Sequence, residues 1–391
     1  MSCPDALAIT WPVNSLSGYG LYALQTAMQF LRQGGKTLIL AGGAQQVAIP
    51  ENAPQDLLTA ITLGQKIADF LRQNPEQTLA FAHAVLFAVG NDGRGFAGQD
   101  RIWGKPAIGC AAIEHNQFTA HGLEVIGRYD RLITISRWNE QILRNLNLAP
   151  VSLCWQGIAT QLFYPGPRGA RWRDRFVIFS GGKFEFRKAQ DVVVAAFKRF
   201  RAKYPEALLI CAWQTPYQSD TAPFVLAGHC DRVPQPDGQG GLNIDTWLQQ
   251  QGLPPESFVD LPYTPNPQMP DILINCDAAL FPNRCEGGTN LVAMEALACG
   301  VPSIVAANTG QLDLIELFDC LPLRKQQHVT APADFPSVVD WRESDIDEIV
   351  AALEQIYQDS AARQHAISAA KKLQAFDWSI VSDRLLQTIT S

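Results

Sequence analysis

The sequence predicts an α/β protein of two lobes, each a mostly parallel sheet covered by helices on both faces. Three observations predict it. The chain has 391 residues and a mass of 43.0 kDa, more than one hydrophobic core usually organises. Short apolar runs of strand character alternate with runs of helical spacing through both halves. Between the halves, segment 164–175 gathers Pro, Gly and the four arginines Arg168, Arg171, Arg173 and Arg175, as an exposed linker does. The lobes are therefore expected at 1–165 and 166–375, with a terminal helix over 376–391 joining the first.

In the first half, strands are expected at 7–13, 37–41, 79–89, 107–114 and 132–136, with a helix at 20–32. In the second half, strands are expected at 176–180, 207–212, 278–281 and 302–306, and helices at 190–203, 244–251 and 291–298. Open sheets of this kind take ligands outside the carboxyl ends of their strands. The site is accordingly expected in a cleft between two sets of strand-end loops. The tail carries Ile380, Val381, Leu385, Leu386 and Ile389 at helical spacing, and either packs across the lobes or lies on its own. The long polar loops over 214–241 suit a mobile segment or an insertion.

Composition excludes several classes. Hydrophobic residues at 47% and charged residues at 18% fit a globular chain and neither a disordered nor a coiled-coil one. Lys plus Arg number 31 against 38 Asp plus Glu, a net charge of -7, the wrong sign for a nucleic-acid partner. The excess is local: residues 1–165 carry 11 of each sign, and residues 166–391 carry 20 positive and 27 negative. Nine cysteines without a Cys-x-x-Cys pair or a His at zinc spacing read as reduced thiols of a cytoplasmic protein. No basic segment precedes an apolar one at the start, and no apolar run reaches 18 residues, so neither a signal peptide nor a membrane span is expected.

Three segments carry chemistry. The first expected strand leads into Ser15-Leu16-Ser17-Gly18-Tyr19-Gly20 and a helix, where glycines admit a close ligand and first-turn amides favour an anion. Gly18-x-Gly20-x-x-Ala23 also fits a dinucleotide fingerprint, but the next strand runs into Ala41-Gly42-Gly43 without the acid that would hold a ribose. A phosphate loop, a plain tight turn and, least favoured, an NAD enzyme remain open there. The second segment, 176–188, reads strand, Gly181-Gly182, then Lys183, Arg187 and Lys188. Lys183 and Lys188 could reach one diphosphate and stabilise the charge on a departing nucleoside diphosphate; the alternative is solvated lysines at a helix start. The third, 281–302, reads strand, glycine loop, helix, turn, strand. Glu286 lies where the strand ends, and Thr289 or Asn290 is placed to cap the helix that begins at Leu291. Glu295 falls in an apolar helical run, so it requires a partner; a ribose diol offers two hydrogen bonds to a carboxylate, and a backbone group or an Arg is the alternative.

Together these segments resemble a retaining glycosyltransferase of the GT-B fold, similar to family 4, the group 1 glycosyl transferases. The resemblance covers nearly the whole chain: Gly18 to Gly20, Tyr129 to Asn139, Gln156-Gly157-Ile158 with Phe163-Tyr164-Pro165, Gly182 to Lys188, Glu286 to Pro302, and Phe376-Asp377-Trp378. It implies two Rossmann-like domains facing across a cleft, acceptor on the first and nucleotide sugar on the second. It places the family's basic pair on Lys183 and Lys188, its ribose ligand on Glu295, and its sugar-facing carboxylate on Glu286. Eight residues separate the two glutamates here where the family usually has seven. It further implies a sugar-facing His, best matched by His115 and less well by His83, with Gly18, Gly20, Gly287, Gly288, Thr289, Asn290 and Leu291 around the donor.

The implied reaction transfers a sugar to an acceptor hydroxyl with retention, the donor's phosphate helping to deprotonate the acceptor. No metal or other cofactor is required. The donor would be a UDP- or GDP-sugar, and the acceptor a saccharide, a lipid-linked compound or a small molecule. Sequence clustering of Arg128, Arg131, Arg137 and Arg144 adds weak peripheral contact with the inner face of a membrane. A nucleotide-sugar epimerase or phosphorylase of the same fold and a non-catalytic binding protein are the alternatives.

Overall fold

A computed structural model describes residues 3–45, 47–215, 222–329 and 340–390. The chain forms two compact units: Met1–Ala159 with Gly287–Thr289 and Ala375–Ser391, and Thr160–Glu286 with Asn290–Gln374. The segment 164–175 lies in the second, where Arg168 forms a bidentate pair with Asp277.

The first unit runs β1 (Ala6–Ile9), α1 (Gly18–Arg32), β2 (Thr37–Leu40), α2 (Asp56–Gln73), β3 (Leu79–Phe81), β4 (Ala84–Val89), β5 (Ile102–Gly104), β6 (Ala107–Ala111), α3 (Ala120–Ile126), β7 (Arg131–Thr134), α4 (Arg137–Leu146) and β8 (Val151–Leu153). Six strands form one parallel sheet in the order β2-β1-β4-β6-β7-β8. Every residue of β4, Ala-Val-Leu-Phe-Ala-Val, is buried, the mark of a central strand covered on both faces. The single strand expected at 79–89 is in fact two, because the chain bends at Ala82-His83. β3 pairs with β5 in a separate two-stranded sheet, and only β4 joins the main one.

The second unit runs β9 (Phe176–Gly181), α5 (Gln190–Lys203), β10 (Ala207–Ala212), α6 (Ala222–Leu226), α7 (Ile244–Gln250), β11 (Phe258–Asp260), α8 (Pro270–Leu273), β12 (Ala278–Phe281), α9 (Leu291–Ala298), β13 (Ser303–Ala306), α10 (Leu312–Leu317), β14 (Leu321–Leu323), β15 (Gln326–His328), β16 (Arg342–Ser344), α11 (Ile346–Gln358) and α12 (Ala362–Ala369). Its six-stranded parallel sheet has the order β11-β10-β9-β12-β13-β14. β15 and β16 form a small antiparallel pair. Within the expected long loops, residues 216–221 lie outside the described residues.

The last helix, α13 (Trp378–Thr390), belongs to the first unit. It lies on α1, where Gln29 and Gln33 both donate to Asp383, and Arg131 donates to the Thr388 carbonyl. Val381, Leu385, Leu386 and Ile389 are its buried stripe, the three-to-four spacing of an amphipathic helix. No disulfide joins any of the described cysteines. No helix among the described residues is long and apolar enough to cross a membrane.

Candidate functional site

The strongest chemistry lies at the carboxyl ends of β9 and β12, neighbours in the second sheet. After β9 the chain turns through Gly182, whose φ of +122° favours glycine; a Cβ there would stand 3.3 Å from Lys188 Cδ. Residues Phe186–Lys188 make one 3-10 turn, Ala189 adopts a left-handed φ of +59°, and α5 begins. This turn delivers Lys188 against Glu286, which follows β12. Glu286 is 5% exposed and accepts from Lys188 Nζ, from Asn283 Nδ2 and, at 2.9 Å, from Arg187 Nη1. Its backbone is also held, the amide donating to Thr309 Oγ1 at 2.9 Å and the carbonyl accepting from Gly310 at 3.0 Å.

Charge in this cluster is set by burial against partnership. Burial alone would raise the Glu286 carboxyl, but Lys188 and Arg187 more than offset it and hold the group below the usual glutamate range. Burial lowers the Lys188 ammonium from its usual value, although Glu286 acts in the opposite sense. Lys183 is more open, its side chain 30% exposed and its Nζ 4.0 Å from Glu185 Oε1. Glu185 also takes Arg187 Nη2 at 2.7 Å. The structure thus brings Lys188 and Glu286 into contact and adds Arg187 as a third member.

Helix α9 carries the second glutamate. Asn290 is its N-cap, accepting from the Ala293 amide, while its own amide donates to Gln311 at 3.1 Å. Leu291 is the first helical residue, and Thr289, the other expected cap, precedes the cap. Glu295 is 6% exposed, with a hydrogen bond from Asn266 Nδ2 to Oε1. Burial pushes its carboxyl up to about 8, against the opposing effect of Asn266. Glu286 and Glu295 therefore differ in protonation at neutral pH although they belong to one segment.

The remaining expected residues lie in the first unit. Gly18 opens α1, and the Gly20 amide donates to Ser17 Oγ at 3.1 Å. The expectation of free amides there is corrected at Gly20, whose donor the N-cap already occupies. Gly20 serves a close approach instead: a Cβ on it would lie 2.2 Å from the Asn14 side chain, which itself accepts from the Leu16 and Ser17 amides. Gly287 and Gly288 group with this unit, where added Cβ atoms would stand 2.6 Å from the Ile113 carbonyl oxygen and 2.8 Å from Ile135 Cδ1. His115 is 6% exposed, so it is not a surface-loop residue, and β6 ends four residues before it, at Ala111. Its Nδ1 is buried without a hydrogen-bond partner among the described residues, and burial lowers its pKa. His83 Nε2 is likewise buried and without a partner among the described residues.

Of the arginines close in sequence, Arg128 pairs with Glu124 and Arg144 with Glu140, Arg131 is tied to α13, and Arg137 lies 5.3 Å over the Trp155 ring. A cavity of about 550 Å³ in the first unit, lined by Phe87, Arg94, Trp103, Arg128 and Tyr129, holds none of the expected site residues. Among the described residues no group of His, Cys, Asp or Glu is placed to hold a metal ion. Sequence reasoning passed over Asn283, Thr309 and Arg284. Arg284 was findable, because a charged residue within the apolar run Phe281-Pro282-Asn283-Arg284-Cys285 requires a partner as Glu295 does.

Residues 168–321 match the family described as "Glycosyl transferases group 1". The chain is 25% identical over 415 residues to a D-inositol 3-phosphate glycosyltransferase of Stackebrandtia nassauensis, covering 94% of this chain and 85% of that protein. Among solved structures it is similar to sucrose-phosphate synthase from Thermosynechococcus elongatus, with TM-score 0.64, 17% identity and 98% of both chains covered. It is also similar to HepE of Anabaena in complex with UDP and glucose, with TM-score 0.61, 13% identity, and 99% and 100% of the two chains covered.

Proposed function

We propose that this chain, which matches the group 1 glycosyl transferases over residues 168–321 and resembles solved structures of the GT-B fold, is a glycosyltransferase that moves a sugar from a nucleotide-sugar donor to an acceptor hydroxyl with retention of configuration and without an obligatory metal. The observation that carries the proposal is the pair of cations, Lys188 and Arg187, gathered on buried Glu286 beside the strand ends. A departing nucleoside diphosphate gains negative charge as the glycosidic bond breaks. Lys188, with Lys183 and Arg187, would stabilise that charge where it forms, in a site whose burial strengthens each interaction. Glu286 holds the ammonium and the guanidinium in place between turnovers and faces the donor sugar's hydroxyls during them. Glu295 accepts the ribose diol in place of Asn266.

Retention rests on the family 4 likeness of 286–302, with the donor's phosphate taking the acceptor proton, so no side chain is assigned as general base. His115, whose pKa burial lowers and whose Nδ1 has no hydrogen-bond partner among the described residues, is assigned to the donor sugar. The HepE structure contains UDP, which favours a UDP-sugar over a GDP-sugar. The curated relatives are named for D-inositol 3-phosphate, which makes a small polar acceptor the first to test before a saccharide or a lipid-linked one. Sedimentation with anionic liposomes at low and high salt tests peripheral membrane contact in a cytoplasmic setting.

The deciding experiment is a thermal-shift panel of UDP, GDP, ADP and NAD. A ligand at a hundred times its dissociation constant stabilises the fold by roughly 2.7 kcal/mol. Stabilisation by one nucleoside diphosphate and not by NAD supports donor binding and names the base. A response to NAD alone makes 18–23 a dinucleotide loop and overturns the proposal.

A further inference from the structure

Arg284 is wholly buried, with side-chain exposure of 0%, and its guanidinium is saturated. Nη1 donates to Asp191 Oδ1 at 2.9 Å and to the Phe186 carbonyl at 2.8 Å. Nη2 donates to Asp191 Oδ2 at 2.7 Å and lies 2.6 Å from Glu343 Oε2, which Nε also reaches at 2.8 Å. Its Cζ lies 4.1 Å over the Phe186 ring. The outer carboxylate is itself fixed, since His229 Nε2 is 2.8 Å from Glu343 Oε1.

The partners of this one side chain bracket the basic turn. Phe186 opens the turn that carries Arg187 and Lys188, and Asp191 stands in the first turn of α5 just beyond it. The backbone repeats the same join: the Arg284 amide donates to the Arg187 carbonyl at 2.7 Å, and the Cys285 amide reaches the same oxygen at 3.3 Å. Glu286 is two residues further on. The Lys188–Glu286 contact is therefore made between two backbone segments that Arg284 clasps through its hydrogen bonds to Asp191 and the Phe186 carbonyl. On the other side, the Arg284 carbonyl accepts from Arg342 of β16 at 3.0 Å, so the clasp is anchored to a second sheet.

We propose that Arg284 is a positioning residue for the sugar-transfer site: through Asp191 and the Phe186 carbonyl it sets the separation of Lys188 and Glu286, and so the geometry in which the donor diphosphate is held. The inference rests on the function proposed above. The planar fork of Arg makes these contacts simultaneously, whereas a Lys ammonium offers three donors from a single point and cannot span Asp191, Phe186 and Glu343 together. A shift of about 1 Å at reacting groups is enough to lower a rate by about a hundredfold.

The test uses Arg284→Lys, which keeps the buried positive charge, and Asp191→Asn, which keeps the shape of the partner. Nucleoside diphosphate release is measured per folded molecule, the folded fraction being taken from circular dichroism and analytical gel filtration. Both variants are expected to lose at least tenfold in kcat while the apparent KM for the donor changes by less than about threefold, and to retain the spectrum of the native protein. Turnover per folded molecule within twofold of the native rate overturns the inference and leaves Arg284 a support of the fold alone. If Arg284→Lys is not recovered folded, Asp191→Asn decides by the same criteria. A native protein that releases no diphosphate from any nucleotide sugar defeats the sugar-transfer proposal itself, an outcome separate from native turnover with undiminished variants.

Discussion

Glu295→Gln separates stability from function at one atom. The carboxyl is buried in α9, receives a hydrogen bond from Asn266 and is pushed up to about 8, whereas an unfolded glutamate titrates near 4.3. Between these values the folded chain keeps a proton that the unfolded chain has released, so stability falls as pH rises through that window. Below about pH 4 both states hold the proton and the penalty is absent; above about pH 8 both are ionised and it is complete. At pH 7 the interval traversed is about 2.7 pH units, or roughly 4 kcal/mol at most. Glutamine has the same shape, keeps an oxygen for Asn266 and carries no such penalty. The variant should therefore be more stable than the native protein by about 2–4 kcal/mol at pH 7 and equal to it near pH 4.

Urea unfolding followed by tryptophan fluorescence at pH 4.5, 6, 7 and 8 measures this directly. With a denaturant slope of about 2–3 kcal/mol per molar, the midpoint should rise by roughly 1 M at pH 7. Nucleoside diphosphate affinity should move the other way, since a charge-assisted bond to the ribose is worth about 1.5–3 kcal/mol against about 1.4 kcal/mol for releasing the Glu295 proton at pH 7, a loss of up to roughly tenfold that grows as pH rises to 8. Parallel pH profiles for the two proteins would refute the buried, protonated carboxyl. Unchanged nucleotide affinity would refute the ribose contact while leaving the electrostatics intact.

Lys188→Ala should lower turnover by at least a hundredfold, read as nucleoside diphosphate release, and should destabilise the protein by about 3 kcal/mol by leaving Glu286 with Arg187 and Asn283 alone; native-like turnover would remove Lys188 from the site. Asn290→Ala should cost about 1–2 kcal/mol in urea, because it removes the cap of α9 and places Ala at a φ of +66°, whereas Asn290→Gly should cost less than half of that. Dialysis against EDTA should leave turnover within a factor of two, and restoration of lost activity by added Mg²⁺ or Mn²⁺ would contradict the metal-independent mechanism.

Regular elements of the second unit were largely legible in the sequence because their signals were local. The helices at 190–203 and 291–298 and the strands at 207–212 and 278–281 coincide with α5, α9, β10 and β12, each bounded by a turn residue or a change in apolar period. The break within 79–89 was not legible, since Ala82-His83 carries no Gly or Pro, and the choice of pairing partner for 79–81 is made by 102–104, some twenty residues away. The same limit applies to the site. Lys188, Glu286 and Glu295 stood out by residue type beside a glycine turn or in an apolar helix. That Glu286 would be answered by Lys188, and Arg284 by Asp191, depends on β9 and β12 being neighbours across a gap of about a hundred residues, which no local pattern records.

The two glutamates of the 286–302 segment bring these strands of evidence together. They are nine positions apart and nearly equally buried, so desolvation pushes both carboxyls in the same direction, and their neighbours alone separate them. Glu286 faces Lys188 and Arg187 and remains ionised; Glu295 faces one neutral amide and keeps its proton. Titratable groups whose surroundings drive them apart are the usual sign of divided roles in a site. Here the division favours an ionised group that holds cations where leaving-group charge develops and a second that becomes ionised when a diol replaces Asn266. Nucleotide binding should then release a proton from Glu295 at pH 7. Calorimetric titration of the nucleoside diphosphate in two buffers of different ionisation enthalpy should show a heat that differs between them in the native protein and not in Glu295→Gln; equal heats in both buffers for the native protein would break the link between the protonated carboxyl and the ribose.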